Sequence, residues 1–494
     1  MRRLAIATVP VAGLVAAAFT LPSAGAVTHD RTPSYGHLGF TTAGLGVTQN
    51  YGEPSLAWDR DGRHGIVCTP AGLLGDPTVE YWYTADAGKT WGHSTSTSPN
   101  GGGDCTLDFL PDGTIVSADL EADDSYVQIS TDWGKTWTAV GSMGQQQDRQ
   151  WLAHSADGRK VYLVYHDFAA EAEWYAIADY DPKTRTLTIP KQDCCHSAQS
   201  ADQATAPGAA GTQTGGPVSF LDEAENTFSG PILIDPSDQS GKTMYVVYSI
   251  SDAQSNLNPV DGVPPYGPTR GVVVASTTDG GNTWSSHYAV TTKPNPDGSK
   301  EPTNGAIFPW GSVDKAGTIY VVYNSTIGET GDHFHQYYLY SKDQGAHWSK
   351  PVQLDGLAHG EGAAIYATSD AGRKGVFDVA WYQTDNGTPS SEDPNVLWTP
   401  HVATLTHADT PHPRIHEQAV TTIPNHRGGV CLQGILCGIG PGSSDRSLAD
   451  FFQLKINPVT GRVTVAYADN AGLRPGYVDG EVVFAQQTKH VVRP

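Results

Sequence analysis

The chain has 494 residues, with 55 Gly, 33 Pro and 17% charged side chains, a turn-dense composition that excludes a coiled coil, a helical bundle or a low-complexity chain and favours an all-β fold. Its formal net charge of −22 sets long-range repulsion against nucleic acid and anionic membranes, so neither is expected as a partner.

Residues 1–26 read as a signal peptide. Arg2 and Arg3 precede an apolar run over 4–19, and Ala24-Gly25-Ala26 offers small residues for cleavage after Ala26. A secreted, soluble product is expected, because no later apolar run reaches the roughly 18 residues that suggest a membrane span. Residues 27–494 read as one domain, with a monomer as the default. In an oxidising compartment the six cysteines are disulfide candidates before metal ligands, and no C-x-x-C pair exists. Cys68 and Cys105 lie in neighbouring repeats and Cys431 and Cys437 enclose a short Gly-rich loop. The adjacent Cys194 and Cys195 allow a vicinal ring, pairing elsewhere or a reduced pair.

Seven units follow in chain order, each an Asx–Gly turn before a β-branched and aromatic strand. The turns are Asp61-Gly62, Asp112-Gly113, Asp157-Gly158, 238–241, 314–317, 370–372 and 457–461. Out of phase with them run four copies of the octapeptide [ST]-x-D-x-G-x-[TH]-W, at 84–91, 130–137, 277–284 and 341–348, built on Asp86, Asp132, Asp279 and Asp343. Such a carboxylate accepts bonds from turn backbone, Gly supplies positive φ and Trp packs between sheets, so these residues are read as structural. Together the repeats spell strand, turn, strand, loop, strand, octapeptide turn, strand. That is one blade of a β-propeller, repeated over about 51–95, 102–140, 148–190, 228–288, 305–352, 357–406 and 446–488. Seven blades are expected, with six and a stray unit as the alternative. The last blade lacks a fourth strand after 481–486, and residues 35–45 are expected to supply it and close the ring.

The octapeptide resembles the Asp box, or BNR repeat, of the sialidase-like superfamily of secreted propellers, and the resemblance spans nearly the whole mature chain. It implies an exo-α-sialidase-like glycosidase, with an arginine triad, a Tyr–Glu nucleophile pair and an Asp acid/base. Where that superfamily carries Tyr/Phe-Arg-Ile-Pro, this sequence reads Tyr51-Gly52-Glu53-Pro54, so the first triad arginine is absent. Arg149, Arg270 and Arg446 are candidates for a replacement triad.

Blade topology puts the strand 1–2 turns and the octapeptide turns on one face. The long segments 191–228, 249–270, 324–335, 383–397, 407–446 and 469–479 fall on the other, which is expected to carry the site. Facing the funnel there, Asp148, His166, Asp167, Glu53 and Asp104 are the catalytic candidates. Arg149, Trp151, Arg270, Trp310, Tyr323, Arg446 and Asp450 are the substrate-binding ones, and Asn324, Glu361, Tyr382 and Asp469 complete the set. Converging carboxylates shift one another's pKa, as acid/base chemistry needs, or are neutralised by a cation such as Ca²⁺, although no cofactor is required. Blade three, with Arg149 for an anionic sugar group and Trp151 or Trp310 for stacking, is the first choice. The leading function is a glycoside hydrolase acting on terminal or acidic sugars of glycans. The alternatives are a non-catalytic propeller binding glycan or protein, and a polysaccharide lyase acting on uronate linkages with His166 as base.

Overall fold

A computed structural model describes residues 39–47, 52–70, 78–99, 102–121, 124–144, 147–167, 172–190, 210–212, 225–252, 269–291, 308–325, 334–355, 362–384, 394–430, 445–473 and 480–489. They form seven antiparallel sheets of four or five strands, the blades of a β-propeller. In blade order the innermost strands are Ser55–Trp58, Cys105–Phe109, Gln147–His154, Glu225–Ile234, Trp310–Val313, Ala364–Ala371 and Gln453–Ile456. The described residues include no helix long and apolar enough to cross a membrane.

The second strand of each blade is covered on both faces by its neighbours, so it reads as a continuous run rather than an alternation. Ile319–Ser325, for example, is buried at every position. The core therefore lies between blades, as where Tyr320 stacks on Phe377 of the next blade at 4.6 Å. The ring is closed by the strand Phe40–Val47, which pairs antiparallel with Glu481–Gln487 and so becomes the outermost strand of blade seven.

The four octapeptides are turns after the third strands. In the first, Asp86 accepts bonds from Thr84 Oγ1 at 2.9 Å, Lys89 N at 3.0 Å, Thr90 N at 2.9 Å and Thr90 Oγ1 at 2.7 Å, while Gly88 adopts φ 82°. The Trp that ends each motif packs on the preceding blade: Trp91 on Phe484 at 4.8 Å, Trp137 on Tyr81 at 4.3 Å and Trp284 on Tyr175 at 5.5 Å. Partial burial opposes ionisation of Asp86 and Asp279, but the bonds from Thr90 and Thr283 outweigh it and hold both carboxyls at about 2, against an ordinary 3.8. A depressed pKa contributes stability above the unfolded value that is lost as pH falls through the folded one. Acid titration of unfolding should therefore show wild type losing stability between pH 3.8 and about 2, with a smaller loss in the Asp86→Asn, Asp279→Asn double variant.

One disulfide is present among the described residues. Cys68 on the second strand of blade one bonds Cys105 on the innermost strand of blade two, with Cα atoms 6.3 Å apart. Cys194, Cys195, Cys431 and Cys437 lie outside the described residues. The bridge closes a loop of sequence separation 37, for which chain entropy alone gives about 4 kcal/mol. The Cys68→Ser, Cys105→Ser double variant should lose stability of that order in a denaturant titration; an unchanged midpoint would show that the bond contributes nothing.

Candidate functional site

Each blade begins its first turn with a backbone bond across the hairpin, donated by Asp59, Leu110, Ser155, Asp235, Asp314, Gly372 and Asn457 in turn. Six residues before these positions stand Glu53, Asp104, Arg149, Ser229, Phe308, Tyr366 and Phe451. They are the seven equivalent positions around the funnel, on the face away from the turns. Three of them, Glu53 at φ 54°, Arg149 at 46° and Tyr366 at 54°, hold left-handed backbone, as does Ala449 at 53°. Strand pairing also shifts register between Asp148 and Trp151, Ser229 and Ile232, and Ile365 and Thr368. Bulges and left-handed residues re-aim side chains, and strain of this kind gathers at functional sites.

At the junction of blades seven, one and two the ring brings carboxyl groups together. Glu53 is 5% exposed and accepts a bond from Asp450 N at 3.0 Å, with the Asp104 carboxyl close enough to raise its proton affinity. Arg446 is in direct contact with Asp450. Burial, then the charge and hydrogen bond of Asp104, then Asp450, push the Glu53 carboxyl well above its usual range, with Arg446 working against them. Tyr366 is also buried, and burial followed by Asp450 drives its phenol up, so it remains protonated. Burial opposes the charge of Arg446, but Asp450 holds it on.

Below this group the axis is filled. The Arg149 guanidinium lies 3.6 Å from the ring centroids of both Trp151 and Phe451, with Nη1 3.9 Å from Asp104. Trp151 in turn meets Trp310 edge-on at 4.7 Å and Phe451 at 5.2 Å. Its indole N–H donates to Ser229 O at 3.1 Å, and that of Trp310 to Ser369 O at 3.0 Å. A cavity of about 630 Å³ enters from the turn face, between Asp108, His154, Asp370 and Lys455, and is lined at depth by the same two tryptophans.

Several residues expected to touch substrate are placed otherwise. Trp151 and Trp310 are 3% and 2% exposed; seven inner strands leave a narrow axis, and these rings fill it instead of presenting a stacking face. Tyr323 is fully buried against Tyr337, between blades. His166 is buried opposite Glu173, and burial alone lowers it to about 4, so it is neutral at neutral pH. Asp148 and Asp167 have described backbone only, pairing with His166 and Gln147, and Arg270 likewise belongs to the strand Thr269–Thr277. Glu361 lies outside the described residues. No group of three or more His, Cys, Asp or Glu among the described residues is arranged to hold a metal ion, so the Ca²⁺ expectation has no support there. The acids are instead accompanied by Arg149 and Arg446. At Gly52, where the resemblance calls for arginine, a Cβ would stand 2.6 Å from the Cβ of Ala449. Tyr366, Phe308 and Phe451 were not among the expected residues; counting back from each turn would have found them.

No protein-family model and no curated protein matches the chain. Among solved structures it is similar to the polysaccharide lyase Uly1, at 10% identity over 93% of this chain and 94% of that one, TM-score 0.48. An α-L-arabinanase of Penicillium chrysogenum complexed with arabinobiose is 13% identical over 90% and 98%, TM-score 0.42. The Hadza microbial sialidase Hz136 is 10% identical over 89% and 66%, TM-score 0.40. Likeness at this level says nothing about which sugar or reaction belongs to this chain.

Proposed function

We propose that the protein is an exported glycoside hydrolase acting at the ends of glycan chains, with its chemistry at the Glu53–Asp104–Asp450 group. The observation that carries this reading is a buried carboxyl, Glu53, that accepts from Asp450 N and sits where burial and the Asp104 and Asp450 carboxyls push its proton affinity up. Glycoside cleavage needs an acid that keeps its proton at working pH and a second carboxylate to face the developing oxocarbenium ion or to activate water. Glu53 is the proton donor to the leaving oxygen. Asp450, anchored by Arg446, is the opposing carboxylate, and Asp104 raises the proton affinity of Glu53. Arg149, Trp151 and Phe451 pack together beside the group, and a site closed by them admits a chain end but passes no strand through.

The deciding assay follows release of sugars from a broad panel of oligosaccharides by the secreted protein. Monosaccharide release from chain ends is expected. Release of internal fragments would overturn the exo-acting part, an unsaturated uronate product would move the chain to the lyases, and saturable binding without any product would make it a binding propeller.

A further inference from the structure

We propose that the sugar ring bound in this funnel is electrically neutral, carrying neither a carboxylate nor an ammonium group. The inference rests on the glycoside reading and names its substrate class. Among the described residues the site holds two guanidinium groups, and both already face carboxylates of the protein. Arg446 contacts Asp450. Arg149 is fully buried, clamped between the rings of Trp151 and Phe451 at 3.6 Å, and lies 3.9 Å from Asp104. A third cation is barred from position 52, because Ala449 occupies the space a side chain there would need.

The two guanidiniums are thus matched one to one with carboxyl groups by geometry, Arg446 with Asp450 and Arg149 with Asp104. A sugar carboxylate reaching either guanidinium would share it with Asp450 or Asp104 and lie beside that acid's own negative charge. Bringing a second carboxylate against a buried pair is costly, because like charges at short range repel and burial weakens their screening. The field of a chain with net charge −22 adds repulsion at longer range. An amino sugar is attracted by that field, yet inside the site it meets two carboxylates already paired with arginines and a third carboxyl, Glu53, that is buried and already accepts from Asp450 N. A neutral ring needs only hydroxyl hydrogen bonds, which the paired carboxylates and guanidiniums can still make with their remaining lone pairs and N–H groups.

The test measures equilibrium binding of the full mature chain to neutral oligosaccharides, sialyl-oligosaccharides, oligouronates and chitosan oligomers, at two salt concentrations. Neutral ligands should bind at least about tenfold more tightly than either charged class, the scale of one charge-assisted hydrogen bond, with little dependence on salt. Asp450→Asn, which releases Arg446, should tighten binding of the sialyl or uronate ligands by about tenfold, and adding Arg446→Met should remove the gain. Anionic or cationic sugars bound as tightly as neutral ones by wild type would overturn the inference whatever the variants do, as would an Asp450→Asn variant with native melting and unchanged anion binding. Tight neutral-sugar binding without turnover would overturn the hydrolase reading and leave this inference standing. Binding of no sugar of any class would overturn both.

Discussion

Glu53→Gln should lower kcat for glycoside hydrolysis by about 10²–10⁴-fold, the usual contribution of a positioned general acid, with KM little changed. The amide keeps the shape of the carboxyl and the oxygen that accepts from Asp450 N, so binding geometry is retained while the transferable proton is lost. The same substitution should raise stability. A carboxyl whose folded pKa lies above its unfolded value contributes stability at low pH that is lost as pH rises through the folded pKa. Burial followed by the charge of Asp104 puts Glu53 in that class. Glu53→Gln should thus melt higher than wild type, by a margin that grows from the unfolded carboxyl value, about 4.3, toward the raised pKa. Rate loss combined with a pH-dependent gain in stability is not what a merely structural defect produces.

Asp104 provides a second reading of the same acid. Activity should fall on the alkaline side as Glu53 loses its proton. Asp104→Asn removes the neighbouring charge that helps to hold that proton, so the alkaline limb should move to lower pH. A limb that stays in place would remove Glu53 from the role of acid, even if both variants were slow.

The blades were legible in the sequence because their signals are local. An Asp–Gly turn needs a positive φ and a carboxylate within a few residues, and Gly62, Gly113 and Gly158 adopt φ 65°, 82° and 67° where the pattern required it. The missing fourth strand of blade seven was likewise a matter of counting. The funnel was legible only in part. Glu53, Asp104, Arg149, Arg446 and Asp450 could be placed there from strand order alone. Which of them meet depends on bulges between Asp148 and Trp151 and between Ile365 and Thr368, and register shifts leave no mark in composition. Trp151 illustrates the cost. Its strand position faces the axis, as read, but the width of the axis is set by all seven blades together, and there the indole packs against Trp310, Phe451 and Arg149. Tyr366 was overlooked for the opposite reason, since an aromatic residue on an inner strand reads as core until its equivalence to Glu53 and Arg149 is noticed.

Removing residues 39–47 should open the ring and abolish its cooperative unfolding. The strand Phe40–Val47 pairs with Glu481–Gln487 from Phe40 opposite Gln487 to Val47 opposite Glu481, and Thr488 N donates to Gly39 O at 2.8 Å beyond its end. Leu45 packs on the cluster of Leu56, Val67, Trp82, Val482 and Phe484, which joins blade one to blade seven. Gly46 runs so close to Trp82 that a Cβ there would stand 3.1 Å from the indole. Without this strand the edge of Glu481–Gln487 loses its partner, and an unpaired apolar edge is a template for pairing with another chain. In a closed ring every blade is held from both sides, whereas an opened one has two free blade faces from which unfolding can begin. A chain beginning at residue 48 should therefore give little soluble monomer and a broad, low melting transition, partly restored by a synthetic peptide spanning residues 39–47 added in trans. A truncated chain that melts as sharply and as high as the intact one would mean that the interfaces between blades hold the ring without its closing strand.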